Sequence, residues 1–222
     1  MMYSKLVVAL GALAVAGASS GKTVNITGFT FANPVATAVT GGPVPGPVQN
    51  VSAGQFDGKL DNASFQAYCV ELDQTFNFGT TYNYDLRNPA TFFTPQKADA
   101  LSRLFTATAG LVTNAANSGA VQAGIWEIIY ETGASFDLSG GSFKTTPNPN
   151  NAGAIAAFGV VNGILGNLAQ YMANVQIDVL YNARAQNFVV MHDIPEPGTW
   201  ALMFAGLGVV GAVARRRSVK RD

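Results

Sequence analysis

Residues 94–133 read TPQKADALSRLFTATAGLVTNAANSGAVQAGIWEIIYETG, and here the texture of the chain changes. Thr94-Pro95 has the form of a helix N-cap followed by proline at the first helical position, where the missing N–H costs nothing. Lys97, Leu101, Leu104 and Phe105 follow at helical spacing, and Gly110 is placed to end that helix. Ser118 reads as the cap of a second helix that runs to Tyr130 and stops at Gly133. Within it Gln122, Ile125, Trp126 and Ile129 fall at i, i+3, i+4 and i+7, one stripe of the surface. Glutamine is out of place in an otherwise apolar stripe, since a buried unpaired amide costs roughly 1–3 kcal/mol.

On either side of this block the pattern is that of strands. Val24 to Phe31 alternates, with a slip at Thr27-Gly28 that predicts a bulge. Residues 33–50, rich in Pro, Gly, Thr and Val, predict loops and edge strands. Phe65 to Phe78 predicts a strand, Gly79 a turn, and Tyr82 and Tyr84 a further strand. Ser135 to Lys144 is strand or loop, and Asn148 to Asn151 breaks the chain. Ala152 to Tyr171 predicts an amphipathic helix with Ile155, Phe158, Val161, Leu165 and Leu168 on one side. Val175 to Val190 returns to strand texture. Strands, helices, strands gives an α+β chain: a β core of sandwich or barrel type carrying a helical insertion.

The two ends carry addresses. Met1 to Lys5 is a short positive region, Leu6 to Leu13 is apolar, and small residues follow at Ala14 to Ala18. This is the pattern of a signal peptide over residues 1–18. At the other end Pro195-Glu196-Pro197 precedes an uncharged apolar run, Gly198 to Ala214, and then Arg215, Arg216 and Arg217, with Lys220 and Arg221 beyond. Seventeen residues make a helix of roughly 25 Å, short for a hydrocarbon core of roughly 30 Å unless arginine stems snorkel. The basic cluster predicts a cytosolic end for a membrane-spanning helix over 198–214. The expected division is therefore a leader, 1–18, an extracytoplasmic domain, 19–192, and a tail, 193–222.

Composition narrows the function. The 222 residues have a formal charge of zero, but the charge is segregated. Residues 19–194 hold seven Lys/Arg against eleven Asp/Glu, so that part stands near −4. An acidic domain offers no electrostatic footprint for nucleic acid. With a single cysteine, Cys69, no internal disulfide is possible. With a single histidine, His192, a Cys/His metal site is ruled out, and no metal, cofactor or catalytic residue is expected. A cysteine hydrolase using His192 as base is disfavoured, since no third residue is evidently placed to orient it.

The tail resembles a PEP-CTERM sorting signal: Pro195, Glu196 and Pro197, the apolar span, then the arginine cluster. That resemblance implies processing by an exosortase, a membrane-embedded cysteine transpeptidase. The protein would be anchored in the inner membrane by its C-terminal helix before processing, and then reside at the cell surface or in the extracellular matrix. The two prolines hold the motif extended, a form a processing enzyme can grip.

Two further segments resemble the thioester domains of bacterial surface proteins: Ala67-Tyr68-Cys69-Val70-Glu71-Leu72, and Gln122-Ala123-Gly124-Ile125-Trp126. Leu180 to Val190, with Leu-Tyr-Asn and Gln-Asn-Phe-Val-Val, is similar to the closing strand region of such domains, so the likeness spans residues 23–191. It implies a bond between Cys69 and Gln122, with Tyr68 and Trp126 shielding it from water. It implies covalent attachment to an amine-bearing surface or matrix partner, one capture per molecule rather than turnover, hence no enzyme. Gly124 departs from the Ala common in that family and costs the helix about 1 kcal/mol. The competing expectation is a passive structural protein of an exopolysaccharide or biofilm matrix, with an inert Cys69.

Overall fold

The first strand, β1 (Lys22–Phe29), shows how the chain builds its core: Val24 and Ile26 are buried, Asn25 between them is half-buried, and Thr23 and Thr27 on either side are exposed. The computed structural model describes residues 21–43 and 48–193. The leader segment, Pro195 to Pro197, the apolar run 198–214 and Arg215 to Arg217 lie outside the described residues. No helix among the described residues is long and apolar enough to cross a membrane.

After β1 come β2 (Val35–Thr40), β3 (Gln49–Ala53), β4 (Phe56–Leu60), β5 (Ala63–Cys69) and β6 (Thr81–Arg87). Then follow α1 (Pro89–Phe92), α2 (Pro95–Thr108), α3 (Ala115–Tyr130), β7 (Lys144–Pro147) and α4 (Ala152–Leu165). A single 3-10 turn, Leu168–Gln170, leads to β8 (Val175–Tyr181) and β9 (Phe188–Asp193). Six strands close into a barrel in the order β1-β4-β5-β9-β8-β6, and β3-β2-β7 form a separate sheet. Every pairing is antiparallel. The β core is thus a closed barrel, and the helices enter between β6 and β8 as the α+β reading expects.

Local chemistry accounts for the joints. The predicted bulge is present: the β1–β4 register shifts between Ile26 and Gly28, leaving Thr27 as the extra residue. The β4–β5 hairpin turns on Asp61 and Asn62, both at positive φ (47° and 71°), the two-residue turn whose twist suits antiparallel strands. The Asp61 carboxylate accepts from Thr23 N (2.9 Å) and Lys22 Nζ (2.7 Å), fastening that turn to β1.

Four expectations need correction. Phe65 to Phe78 is not one strand: β5 ends at Cys69, and 70–80 leaves the ladder to fold across the barrel end, where Phe76 and Phe78 pack edge-on at 5.2 Å. Their alternation reflects packing on that end, not strand pairing. Ser118 does not cap the second helix. Asn114 does, accepting from Asn117 N (2.9 Å), and Ser118, inside the helix, accepts from Gln55 N (2.7 Å). The last helix stops at Leu165 rather than Tyr171. Ile155 is 48 % exposed, so it is not on the buried stripe formed by Ala154, Phe158, Val161 and Leu165.

The Thr94 cap holds as predicted, accepting from Lys97 N (3.2 Å) with Pro95 at the first position. Helix α3 is buried along most of its length, between α2, α4 and the β2–β3 sheet. Gly124 faces α4 and α2: a Cβ there would lie 3.0 Å from Val161 Cγ1 and 3.3 Å from Leu104 Cδ2. Close approach of three helices explains the glycine.

Candidate functional site

Strand β5 outlasts its partner. The last β4–β5 pair is Phe56 with Ala67, whereas β9 still pairs with Cys69 through Phe188. Val70 N donates to Asn187 O on the β9 side, so the N–H and C=O of Cys69 face the vacated β4 side. Gln122 fills that gap from α3. Cys69 N donates to Gln122 Oε1 (2.9 Å), and Gln122 Nε2 donates to Cys69 O (2.8 Å). Gln122 is fully buried, and these two bonds are why a glutamine sits in the apolar stripe.

The Cys69 side chain is buried and free of any disulfide. Burial pushes its thiol well above the usual range, and the nearby Glu71 carboxylate adds to the shift. The resting group is therefore a thiol, and any nucleophilic step has to begin with loss of that proton. The Glu71 carboxyl is itself pushed up by burial, against hydrogen bonds from the Asn187 side chain and backbone that pull it down. Gln186 Nε2 donates to Glu71 O (3.0 Å), and Tyr84 Oη donates to Gln186 O (2.7 Å). The loop before β9 thus clamps the segment after β5.

Cys69 and Trp126 line one cavity of about 320 Å³ at the barrel end, together with Glu71, Gln74 and Gln186. Its apolar wall is aromatic: Phe29 stacks on Phe56 at 4.5 Å, Phe78 meets both in edge or tilted contacts, and Phe76 meets Phe56 edge-on. Two buried polar atoms of residues around this cavity have no partner, Trp126 Nε1 and Gln74 Oε1. Tyr68 lies elsewhere. It points to the opposite face of β5, stands 6.0 Å from the ring of Phe105 on α2, and lines a different cavity. Of the two aromatic residues expected around the thiol, the structure brings Trp126 to it and sends Tyr68 across the strand.

The geometry offers one chemical possibility. The oxygen that would become negative if a nucleophile added to the Gln122 carboxamide already accepts the Cys69 backbone N–H, the arrangement of an oxyanion site. Among the described residues no group of three or more His, Cys, Asp and Glu could hold a metal ion. Sequence reasoning missed Gln74, Phe76 and Phe78 as cavity residues, because nothing in a Gln-Thr-Phe-Asn-Phe run separates a strand from a flap over a barrel end. It noted Gln186-Asn187 only as part of a strand region, and their grip on Glu71 depends on a contact 115 residues away in sequence.

The PEP-CTERM protein-sorting motif matches residues 193–218, which contain Pro195, Glu196 and Pro197, the apolar run and the arginines. This motif directs export and membrane-associated sorting with exosortase processing. The match begins at the final residue of β9, so the barrel closes immediately before the sorting tail starts. No curated protein and no solved structure matches the chain.

Proposed function

We propose that this exosortase-sorted protein is a covalent attachment module of the cell surface or extracellular matrix. In this reading Cys69 Sγ adds to the Gln122 carboxamide carbon, the C–N bond breaks, and ammonia leaves with the thiol proton. An intramolecular thioester remains. A primary amine on a surface or matrix partner then attacks the same carbon. The C–S bond breaks, and the sulfur recovers a proton as an amide forms. One molecule captures one partner, without turnover. The observation that carries the reading is the pair of hydrogen bonds between the Gln122 carboxamide and the Cys69 backbone, which keeps the carboxamide beside the residue that bears the thiol and so favours a high effective concentration. Trp126 supports it as a wall of the same cavity.

Intact-mass measurement of the exported, purified protein tests this. The expected mass is short by one ammonia, and the deficit disappears in Cys69→Ala. A full mass together with a titratable thiol in the unfolded protein would overturn the reading.

The same hydrogen bonds favour a second reading, because they satisfy Gln122 without chemistry. Here the amide only staples α3 to β5, and the protein is a passive structural component of an exopolysaccharide or biofilm matrix. Retention on isolated matrix that is unchanged by Cys69→Ala, with no mass deficit in the parent, is the result this reading expects. Before processing, the apolar run 198–214 would hold either form in the inner membrane with Arg215 to Arg217 on the cytosolic side.

A further inference from the structure

The cavity beside Cys69 has a composition that restricts what can enter it. Four phenylalanines make one side, and Phe78, 50 % exposed, forms the rim. The remaining lining includes polar residues, and two of their buried atoms are of opposite hydrogen-bonding sense. Trp126, 2 % exposed, has an indole N–H with no acceptor, and Gln74 Oε1 has no donor. Each is a group that a native interior ordinarily satisfies. An alkylammonium, such as a lysine side chain, carries donors only: it can serve Gln74 but leaves the indole N–H unpaired. A sugar ring has an apolar C–H face for the phenylalanine wall and, at its edge, hydroxyls that both donate and accept. Glu71, at the same cavity, supplies a carboxylate for a cationic substituent. At about 320 Å³ the space lies at the small end of ligand sites, the scale of one ring rather than a peptide segment.

We propose that this cavity is a recognition subsite for a single amino-sugar unit, so that the amine delivered to the Cys69–Gln122 pair arrives on a pyranose ring. The covalent outcome rests on the thioester reading above, but recognition of the sugar does not. In the covalent step the amino nitrogen bonds to the Gln122 carbonyl carbon, the bond from that carbon to Cys69 Sγ breaks, and the sulfur takes the proton the amine gives up.

The test uses the full chain carrying Cys69→Ala, with a β-linked glucosamine trisaccharide and cadaverine as the two probes. The chain has two tryptophans, Trp126 and Trp200, so Trp126→Phe provides the blank for a fluorescence titration. The trisaccharide is expected to give a saturable change at least about tenfold tighter than cadaverine. Phe78→Ala at the exposed rim and Gln74→Ala at a half-buried position should each weaken it by about fivefold to tenfold. No saturable change with the trisaccharide, or equal or tighter binding of cadaverine, overturns the proposal. Mass analysis of the parent protein separates the two ideas. Sugar binding without a mass deficit removes the thioester and leaves the subsite. A mass deficit with capture of cadaverine alone removes the subsite and leaves the thioester.

Discussion

The side chain of Gln122 takes the place of a missing strand beside Cys69. Its Oε1 accepts from Cys69 N and its Nε2 donates to Cys69 O, as a neighbouring backbone would, at the point where β4 has already turned away. One amide therefore completes the barrel's ladder and docks the helical insertion onto it. Gln122→Ala leaves a buried N–H and a buried C=O without partners, and should lower unfolding free energy by about 2–4 kcal/mol. Gln122→Glu keeps the shape but sets a carboxylate oxygen against the Cys69 carbonyl. That variant should be destabilised at neutral pH and recover as the carboxyl protonates in acid. Urea unfolding at two pH values distinguishes the pair, and equal stability of Gln122→Ala and parent would remove the structural role.

Two helical glycines predict opposite outcomes for the same substitution. A Cβ on Gly119 would lie 2.5 Å from Val35 Cγ2 and 2.7 Å from Val35 Cβ, where α3 presses on β2. Gly119→Ala should cost about 1–3 kcal/mol through overpacking. A Cβ on Gly159 of α4 would meet nothing within 4 Å. Gly159→Ala should add about 0.5–1 kcal/mol through helix propensity and reduced freedom of the unfolded chain. Thermal unfolding of both variants in one buffer checks the sign of each.

Asn114 and Ser118 separate a cap from its look-alike. Asn114→Ala should cost about 1 kcal/mol by freeing the Asn117 N–H. Ser118→Ala should cost about 1–3 kcal/mol by stranding the buried Gln55 N–H instead. Amide exchange is the discriminating measurement: Asn117 should speed up in the first variant and Gln55 in the second. Faster exchange at Ala120 or Val121 in Ser118→Ala, with Gln55 unaffected, would restore serine as the cap.

The Ser118 case also shows why parts of the fold could be read from sequence and parts could not. Thr94-Pro95 is a local signal acting on local N–H groups, and it gave α2 its correct start. Ser118 has the same local form, yet its hydroxyl serves a backbone 63 residues away, which no window reveals. Alternation at Val24 and Ile26 and the slip at Thr27 survive because β1 lies against one core. Alternation at Phe76 and Phe78 misleads because a loop crossing a barrel end turns every second ring toward its neighbours just as a strand does. Barrel closure is a matter of register between distant strands, such as β6 with β8, and has no local mark. In the site, Gln122 was visible as a polar residue in an apolar stripe. Gln74, Gln186 and Asn187 lie in stretches that read as strand, and what they do depends on contacts distant in sequence.

Glu127 and Glu131, one turn apart at the end of α3, should give the protein opposed acid and alkaline limits. Burial pushes the Glu127 carboxyl up from 4.5 to about 7; Asp137 N donates to its Oε1, and its Oε2 has no partner. A carboxyl raised on folding holds its proton more tightly in the native state. Its contribution is whole below about pH 4.5 and is lost as pH rises through about 7. At Glu131 burial also pushes upward. Hydrogen bonds from Gly133 N, the Ser142 hydroxyl and N, and Phe143 N outweigh it and hold the carboxyl at about 2. That contribution is whole above about pH 4.5 and is lost as pH falls toward about 2. Thermal midpoints measured from pH 3 to 8 should therefore fall on both sides of a maximum in the mildly acidic range. Glu127→Gln should flatten the alkaline side alone, since the amide keeps the bond from Asp137 N without a charge to bury. Glu131→Gln should lower stability at neutral pH and flatten the acid side. An unchanged alkaline slope in Glu127→Gln would show that the Glu127 carboxyl is not the group that titrates there.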